Sequence, residues 1–187
     1  MKHVPNVITV VRILFAPAFF VLLILAGTDL ESPLRWWAAG LFIFGMATDG
    51  IDGALARRFD AVSDFGKLMD PIADKVLTGG AIIALSVLGE LPWWVTALIL
   101  IREIGITVWR MVELGDNVVV AASWAGKVKT VLQFLAISAA LLPLAPVLGN
   151  GYNVLNVVLM TVATVATLAS GLDYLVAATR ARRASRG

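Results

Sequence analysis

Six runs of apolar residues, each roughly 18–25 long, fill most of this chain, and a helix of that length crosses a bilayer core of about 30 Å. Hydrophobic residues make up 59% of the 187 positions, more than a soluble domain of this size has interior to hold. The pattern predicts an all-α, polytopic membrane protein with six transmembrane helices. The expected helices cover residues 7–26, 33–57, 66–88, 92–113, 127–142 and 152–179. Gly89-Glu90-Leu91-Pro92 ends the third, Gly115-Asp116-Asn117 supplies turn chemistry after the fourth, and Pro143 and Pro146 close the fifth. The stretch up to Trp124 reads as an interfacial loop or short helix. The first run carries Arg12 and Pro17 and lacks a clear cleavage site, so it reads as a retained helix and not as a secretory signal.

Charge orients the frame. Lys2, Arg12, Arg57, Arg58, Lys67, Arg110, Lys127, Lys129, Arg180, Arg182, Arg183 and Arg186 fall at alternate helix ends, and the opposite connections carry Arg35 as their one basic residue. The positive-inside rule then puts both termini and the connection between Arg57 and Lys67 in the cytoplasm. The basic C-terminus is read as fixing topology and touching anionic lipid, with no nucleic acid as partner. Trp36-Trp37 and Trp93-Trp94 fit an outer aromatic belt, and Trp109 and Trp124 an inner one. Gly40, Gly45, Gly79 and Gly80 read as sites of close helix approach. There is no cysteine, which removes disulfides, thiolate catalysis and cysteine-held metals. The one histidine, His3, reads as a solvated tail residue, which argues against a Ser-His-Asp relay.

Against this apolar background stand Asp49, Asp52, Asp70 and Asp74. Carboxylates are expensive in a membrane helix and mark function there. Asp49 and Asp52 are three apart on the second helix, and Asp70 and Asp74 four apart on the third, so each pair shares a helix face. If the two faces meet, four hard oxygen donors converge, a set suited to Mg²⁺ or Mn²⁺. Structural ion pairs with Arg57 or Lys75 would explain one or two acids, not four with glycines at fixed places. An ion or proton transporter is a different reading of intramembrane acids, but these lie near a membrane edge and leave Gly53, Ala56 and Arg57 without a purpose.

The full run reads Asp-x2-Asp-Gly-x2-Ala-Arg-x8-Gly-x3-Asp-x3-Asp, from Asp49 to Asp74. It resembles the CDP-alcohol phosphotransferase family at all eight defining positions. That resemblance implies one membrane domain over residues 1–187 and two divalent ions, Mg²⁺ or Mn²⁺. Asp49, Asp52 and Asp70 would be metal ligands, and Asp74 both a ligand and the general base. It also implies that Asp52 belongs to the CDP site, that Gly53, Ala56 and Gly66 leave space for the cytidine, and that Arg57 supports the diphosphate. Asn6 and Thr9 are candidates for nucleotide or phosphate contact, with capping of the first helix as an equal reading.

Shorter pieces point to one branch of that family. Pro5-Asn6-Val7-Ile8-Thr9-Val10-Val11-Arg12, Ile101-Arg102-Glu103-Ile104, Gly126-Lys127-Val128-Lys129-Thr130 and Gln133 resemble bacterial members whose acceptor is sn-glycerol 3-phosphate. This implies CDP-diacylglycerol as donor, a site facing the cytoplasm from the bacterial inner membrane, and a homodimer as a common family state. Siblings that use phosphatidylglycerol, inositol phosphate or serine carry the same aspartates and are the nearest alternative. An acceptor phosphate needs cations, and Arg102, Arg110, Lys127 and Lys129 remain for it. Arg102 has the first claim, since a cation inside a span needs a reason. A pair with Glu103 is read as the weaker explanation, because adjacent residues do not face each other on a helix. Asp173 has no assigned role and is expected to pair with a basic residue of another helix.

Overall fold

The computed structural model describes the backbone of residues 4–59, 64–115 and 124–184 and the side chains of residues 15–48, 75–109 and 124–181. Most of the described residues are helical, with no strand among them. The helices are α1 (Val4–Ala26), α2 (Pro33–Phe59), α3 (Asp64–Val87), α4 (Trp93–Gly115), α5 (Trp124–Leu141), α6 (Ala145–Leu148) and α7 (Asn150–Ala184). The six long ones are those the apolar runs predict, displaced by a few residues at their ends. The single turn α6 is an addition. Pro143 stops α5 because its ring excludes the continuing helix, and Pro146 then opens a new turn, where its missing N–H is no loss. Gly27, Gly89 and Gly149 stand at helix ends with φ of +58°, +77° and +67°, a left-handed backbone that other residues enter at a cost.

The chain divides into two compact units, Met1–Leu91 with Ile137–Asn153, and Pro92–Ala136 with Val154–Gly187. In the first, α1 packs on α2 and α3. Its seam on α1 is Ala16, Phe19, Leu23 and Ala26, all buried, at spacings of three and four. Ala38, Ala39 and Phe42 face it from α2, and Leu77, Ala81, Ile82 and Leu85 complete the core from α3. Phe19 stacks obliquely on Phe42 with ring centres 5.8 Å apart. Small residues permit this approach. A Cβ on Gly80 would lie 2.0 Å from the Phe20 ring, and one on Gly45 3.0 Å from Leu77. Gly40 departs from expectation: it is exposed, with nothing within 4 Å of where a side chain would start.

One buried charge organises the ends of these helices. Arg35, in the first turn of α2, is fully buried. It donates from Nη2 to the Glu90 carboxylate, from Nη1 to the Gly27 carbonyl at 3.1 Å and from Nε to the Leu141 carbonyl at 3.4 Å. Those two carbonyls end α1 and α5, where helix geometry leaves oxygens unpaired and the dipole leaves them negative. The last turn of α5 is closed further by Tyr152 Oη, which donates to Ala139 at 2.7 Å, and by Leu142 N–H, which donates to Ser138.

In the second unit the polar and apolar residues of α7 are inverted relative to a soluble helix. Its buried stripe is Met160, Ala163, Thr164, Thr167, Ser170, Tyr174 and Ala178, mostly small or hydroxylated. Its exposed surface carries Val157, Val158, Val162, Val165, Leu168, Leu172, Leu175 and Val176. Small residues inside and branched apolar residues outside are how helices pack when lipid is the solvent. Asn150–Ala181 is also, among the described residues, the one helix long and apolar enough to cross a membrane; Phe15–Ala26 and Lys75–Val87 are shorter apolar helices. Trp36, Trp37, Trp93, Trp94 and Trp124 are exposed, as membrane anchors must be.

Replacing Arg35 with alanine leaves two helix-end carbonyls and Glu90 without their donor. The loss should be about 3 kcal/mol, the low end for a broken buried pair because Glu90 is 25% exposed. Arg35→Lys should recover less than half, since an ammonium cannot span three acceptors as a planar fork does. Thermal unfolding in detergent reads both, and an unchanged midpoint for Arg35→Ala would make the pair dispensable.

Candidate active site

The acidic motif lies on two packed helices. Asp49 and Asp52 fall in the second half of α2, and Asp70 and Asp74 in the first half of α3. Both segments are helical, so each pair shares a face through its spacing. The side chains of these four, and of Asn6, Thr9, Gly53, Ala56, Arg57, Gly66 and Arg110, lie outside the described residues. What is described is the packing that holds the two helices beside the motif. Gly45, four residues before Asp49, lies against Leu77, three residues after Asp74. Thr78 Oγ1 donates to Met46 Sδ at 3.5 Å from α3 to α2. Thr48, next to Asp49, turns its hydroxyl back onto the Phe44 and Gly45 carbonyls at 3.0 and 2.9 Å. The donor set therefore suits a hard divalent cation in kind, all oxygen and all carboxylate, on helices held at close range.

Helix α1 begins at Val4, which places Asn6 and Thr9 inside it and removes the reading of them as its caps.

The second unit holds a different polar cluster, built by α4, α5 and α7. Glu103 Oε1 accepts from Arg102 Nη1 at 2.8 Å and from Lys129 Nζ at 2.5 Å. The three side chains are 13%, 19% and 7% exposed for Arg102, Glu103 and Lys129. Arg102 Nη2 donates to Ser170 Oγ at 2.8 Å, and Ser170 Oγ in turn donates to the Thr167 carbonyl at 3.0 Å. Gln133 Nε2 donates to Thr167 Oγ1 at 2.9 Å. Arg102 Nε is buried and has no hydrogen-bond partner among the described residues.

This corrects the expectation that Arg102 and Glu103 do not pair. Their Cβ atoms do point about 100° apart around the helix. The long stems close that gap, because Lys129 draws the same carboxylate toward a common point. Of the four acceptor candidates, Arg102 and Lys129 come together. Lys127 is exposed and makes no hydrogen bond or ion pair with the described residues of the cluster, and Arg110 is outside the described side chains. Glu103, Thr167 and Ser170 carry weight that the sequence did not assign them. The signal for the last two is their i, i+3 spacing on the polar stripe that continues to Tyr174. Asp173 is exposed and no ion pair joins it to another described residue, contrary to the pairing expected for it.

Among the described residues the cluster is two cations and one anion in partly dry surroundings, with donors still to spare on Arg102. Such a site suits an anion, and a guanidinium suits the oxygens of a phosphate best.

Comparison with known proteins carries the same reading across the chain. A family model described as CDP-alcohol phosphatidyltransferase matches residues 2–169. A probable phosphatidylglycerophosphate synthase of Mycobacterium tuberculosis strain H37Rv is 42% identical over 180 residues, covering 96% of this chain and 83% of that protein. The CDP-diacylglycerol–glycerol-3-phosphate 3-phosphatidyltransferase of Bacillus subtilis strain 168 is 38% identical over 154 residues, 78% of this chain and 80% of its own length. The Escherichia coli K12 enzyme of that same description is 39% identical over 141 residues, 73% of this chain and 75% of its own. With its motif intact and the family model spanning residues 2–169, the chain belongs to the CDP-alcohol phosphatidyltransferase family.

Proposed function

We propose that this protein transfers the phosphatidyl group of CDP-diacylglycerol to sn-glycerol 3-phosphate, giving phosphatidylglycerophosphate and CMP. The observation that carries this is the complete eight-residue motif on α2 and α3, in a chain whose relatives are named for that reaction and are matched over three quarters or more of their length. A free hydroxyl of the acceptor attacks the phosphatidyl phosphorus. One P–O bond forms, the P–O bond to CMP breaks, and CMP leaves with the electron pair.

Each residue has a task in this reading. Asp74 accepts the proton of the attacking hydroxyl, a role worth about 10²–10⁴-fold in rate. Asp49, Asp52, Asp70 and Asp74 would hold two divalent cations, Mg²⁺ or Mn²⁺, which supply neutralisation of the diphosphate charge. Arg57 donates to the diphosphate, Gly53, Ala56 and Gly66 give the cytidine room beside the helix backbone, and Asn6 and Thr9 line the nucleotide side. Arg102 and Lys129 take the acceptor's own phosphate, with Arg110 and Lys127 as further candidates for it. The membrane form is a multi-pass, six-span domain with both termini and the site on the cytoplasmic face of the bacterial inner membrane, and a homodimer is its assembly. The inverted surface of α7 and the charge pattern support that placement.

Three measurements test this. Chelation should abolish transfer, and Mg²⁺ or Mn²⁺ should restore it; Asp49→Asn, Asp52→Asn and Asp70→Asn should each stop turnover in folded protein, and Asp74→Asn should lower kcat by at least about 10²-fold. Full activity in excess chelator would sink the metal assignment. Arg102→Ala should raise KM for glycerol 3-phosphate by about tenfold or more and leave that for CDP-diacylglycerol much less changed. Wild-type protein that ignores glycerol 3-phosphate and uses inositol phosphate, serine or phosphatidylglycerol would keep the family and change the acceptor. Finally, cysteine placed at Ser32 should react with an impermeant thiol reagent on intact cells and cysteine at Ser63 should not; the reverse labelling overturns the orientation.

A further inference from the structure

Arg102 and Lys129 come from different helices, α4 and α5, and one oxygen of Glu103 holds them both. Two cations this close and this buried would repel each other without an anion between them. Arg102 is held from α7 as well. Ser170 Oγ takes its Nη2, and Gly171 leaves room for its stem: a Cβ there would lie 3.1 Å from Arg102 Cγ and 3.3 Å from Nε. Arg102 Nε is left buried and unpartnered among the described residues. A guanidinium whose two terminal nitrogens are held by a carboxylate and a hydroxyl keeps one orientation, and each of those nitrogens carries a second N–H for another acceptor.

We infer that Glu103 is a positioning residue for the acceptor substrate, holding Arg102 and Lys129 side by side before the acceptor's phosphate arrives. The inference rests on the reading that these two cations bind that phosphate. Glu103 itself does not touch the phosphate, since two anions in a dry site repel. It acts through the cations, and Gly171 acts through Arg102 by keeping the space beside it empty.

Charge and position predict opposite effects, which makes the role decidable. If Glu103 were only a counter-charge, its neutralisation would leave the site more positive and tighten phosphate binding. If it positions the cations, neutralisation lets them separate and weakens binding. The test uses the full-length enzyme in detergent with CDP-diacylglycerol and sn-glycerol 3-phosphate, varying each in turn. Glu103→Gln should raise KM for glycerol 3-phosphate by about tenfold and move KM for CDP-diacylglycerol by less than about threefold. Glu103→Asp, which keeps the carboxylate, should recover part of the loss. Gly171→Ala leaves every charge in place and should raise the same KM a few-fold. On an Arg102→Ala background, Glu103→Gln should add less than it does alone, because the two act through one contact.

A lower KM for glycerol 3-phosphate in Glu103→Gln, equal changes for both substrates, or a loss confined to kcat would overturn the inference. Where Glu103→Gln fails to fold, Glu103→Asp and Gly171→Ala decide it on the same readout. If Arg102→Ala itself leaves the glycerol 3-phosphate KM unmoved, the acceptor reading fails. If Arg102→Ala moves it and Glu103→Gln does not, this inference alone fails.

Discussion

A guanidinium taken out of water needs several acceptors and a counter-charge at once, and the described interior is arranged around two of them. Arg35 meets Glu90 and the carbonyls of Gly27 and Leu141. Arg102 meets Glu103 and Ser170. The solutions look alike, a carboxylate on one side and uncharged oxygens on the other, but they are not equally complete. All three nitrogens of Arg35 are engaged, and its oxygens belong to helix ends that would otherwise be orphaned. Arg102 has one nitrogen without a partner among the described residues, and its acceptors are side chains rather than helix-end carbonyls. A saturated arginine is a fastener. An unsaturated one keeps a donor unspent.

The same economy of polar groups governs α7. Thr164 and Thr167 return their hydroxyls to the carbonyls of Met160 and Ala163, and Ser170 to that of Thr167, so the buried stripe satisfies itself without help from solvent. Once so satisfied, Thr167 and Ser170 still have lone pairs to offer. Gln133 takes one and Arg102 the other. Small hydroxylated residues thus serve twice, as close-packing surface and as acceptors for the longer polar groups of α4 and α5. The apolar valines and leucines on the outside of α7 contribute length and solubility in lipid, and nothing to this wiring.

What could be read from the sequence was what is local. The six long helices followed from apolar runs, and their ends from Gly89, Pro92, Gly115 and Pro143, because each of these acts on its own backbone. The acid pairs were legible for the same reason: a spacing of three or four fixes a shared face within one helix. The turn α6 was not legible, since four residues carry no periodicity and a proline there can end one helix or open another. Gly40 was misread because composition cannot say which face of α2 meets a neighbour; Gly45 and Gly80 face one and Gly40 does not. The role of Arg35 was hidden by its position, which looks like a loop charge until the ends of α1 and α5 are seen beside it.

Arg102 and Glu103 show the limit most clearly. The rule that neighbours on a helix diverge concerns where side chains leave the backbone, and it holds for short ones. For arginine and glutamate the ends are several bonds away, and what lies across the gap decides where they go. Here Lys129 lies across it, 26 residues further along the chain. A metal site made of aspartates depends on stubby ligands whose direction the helix sets, so a linear motif describes it well. An acceptor site made of arginine, lysine and glutamate depends on long stems directed by other helices, so no short motif can. The aspartate pairs are written along two helices, and the cluster of Arg102, Glu103 and Lys129 is written in contacts between α4, α5 and α7.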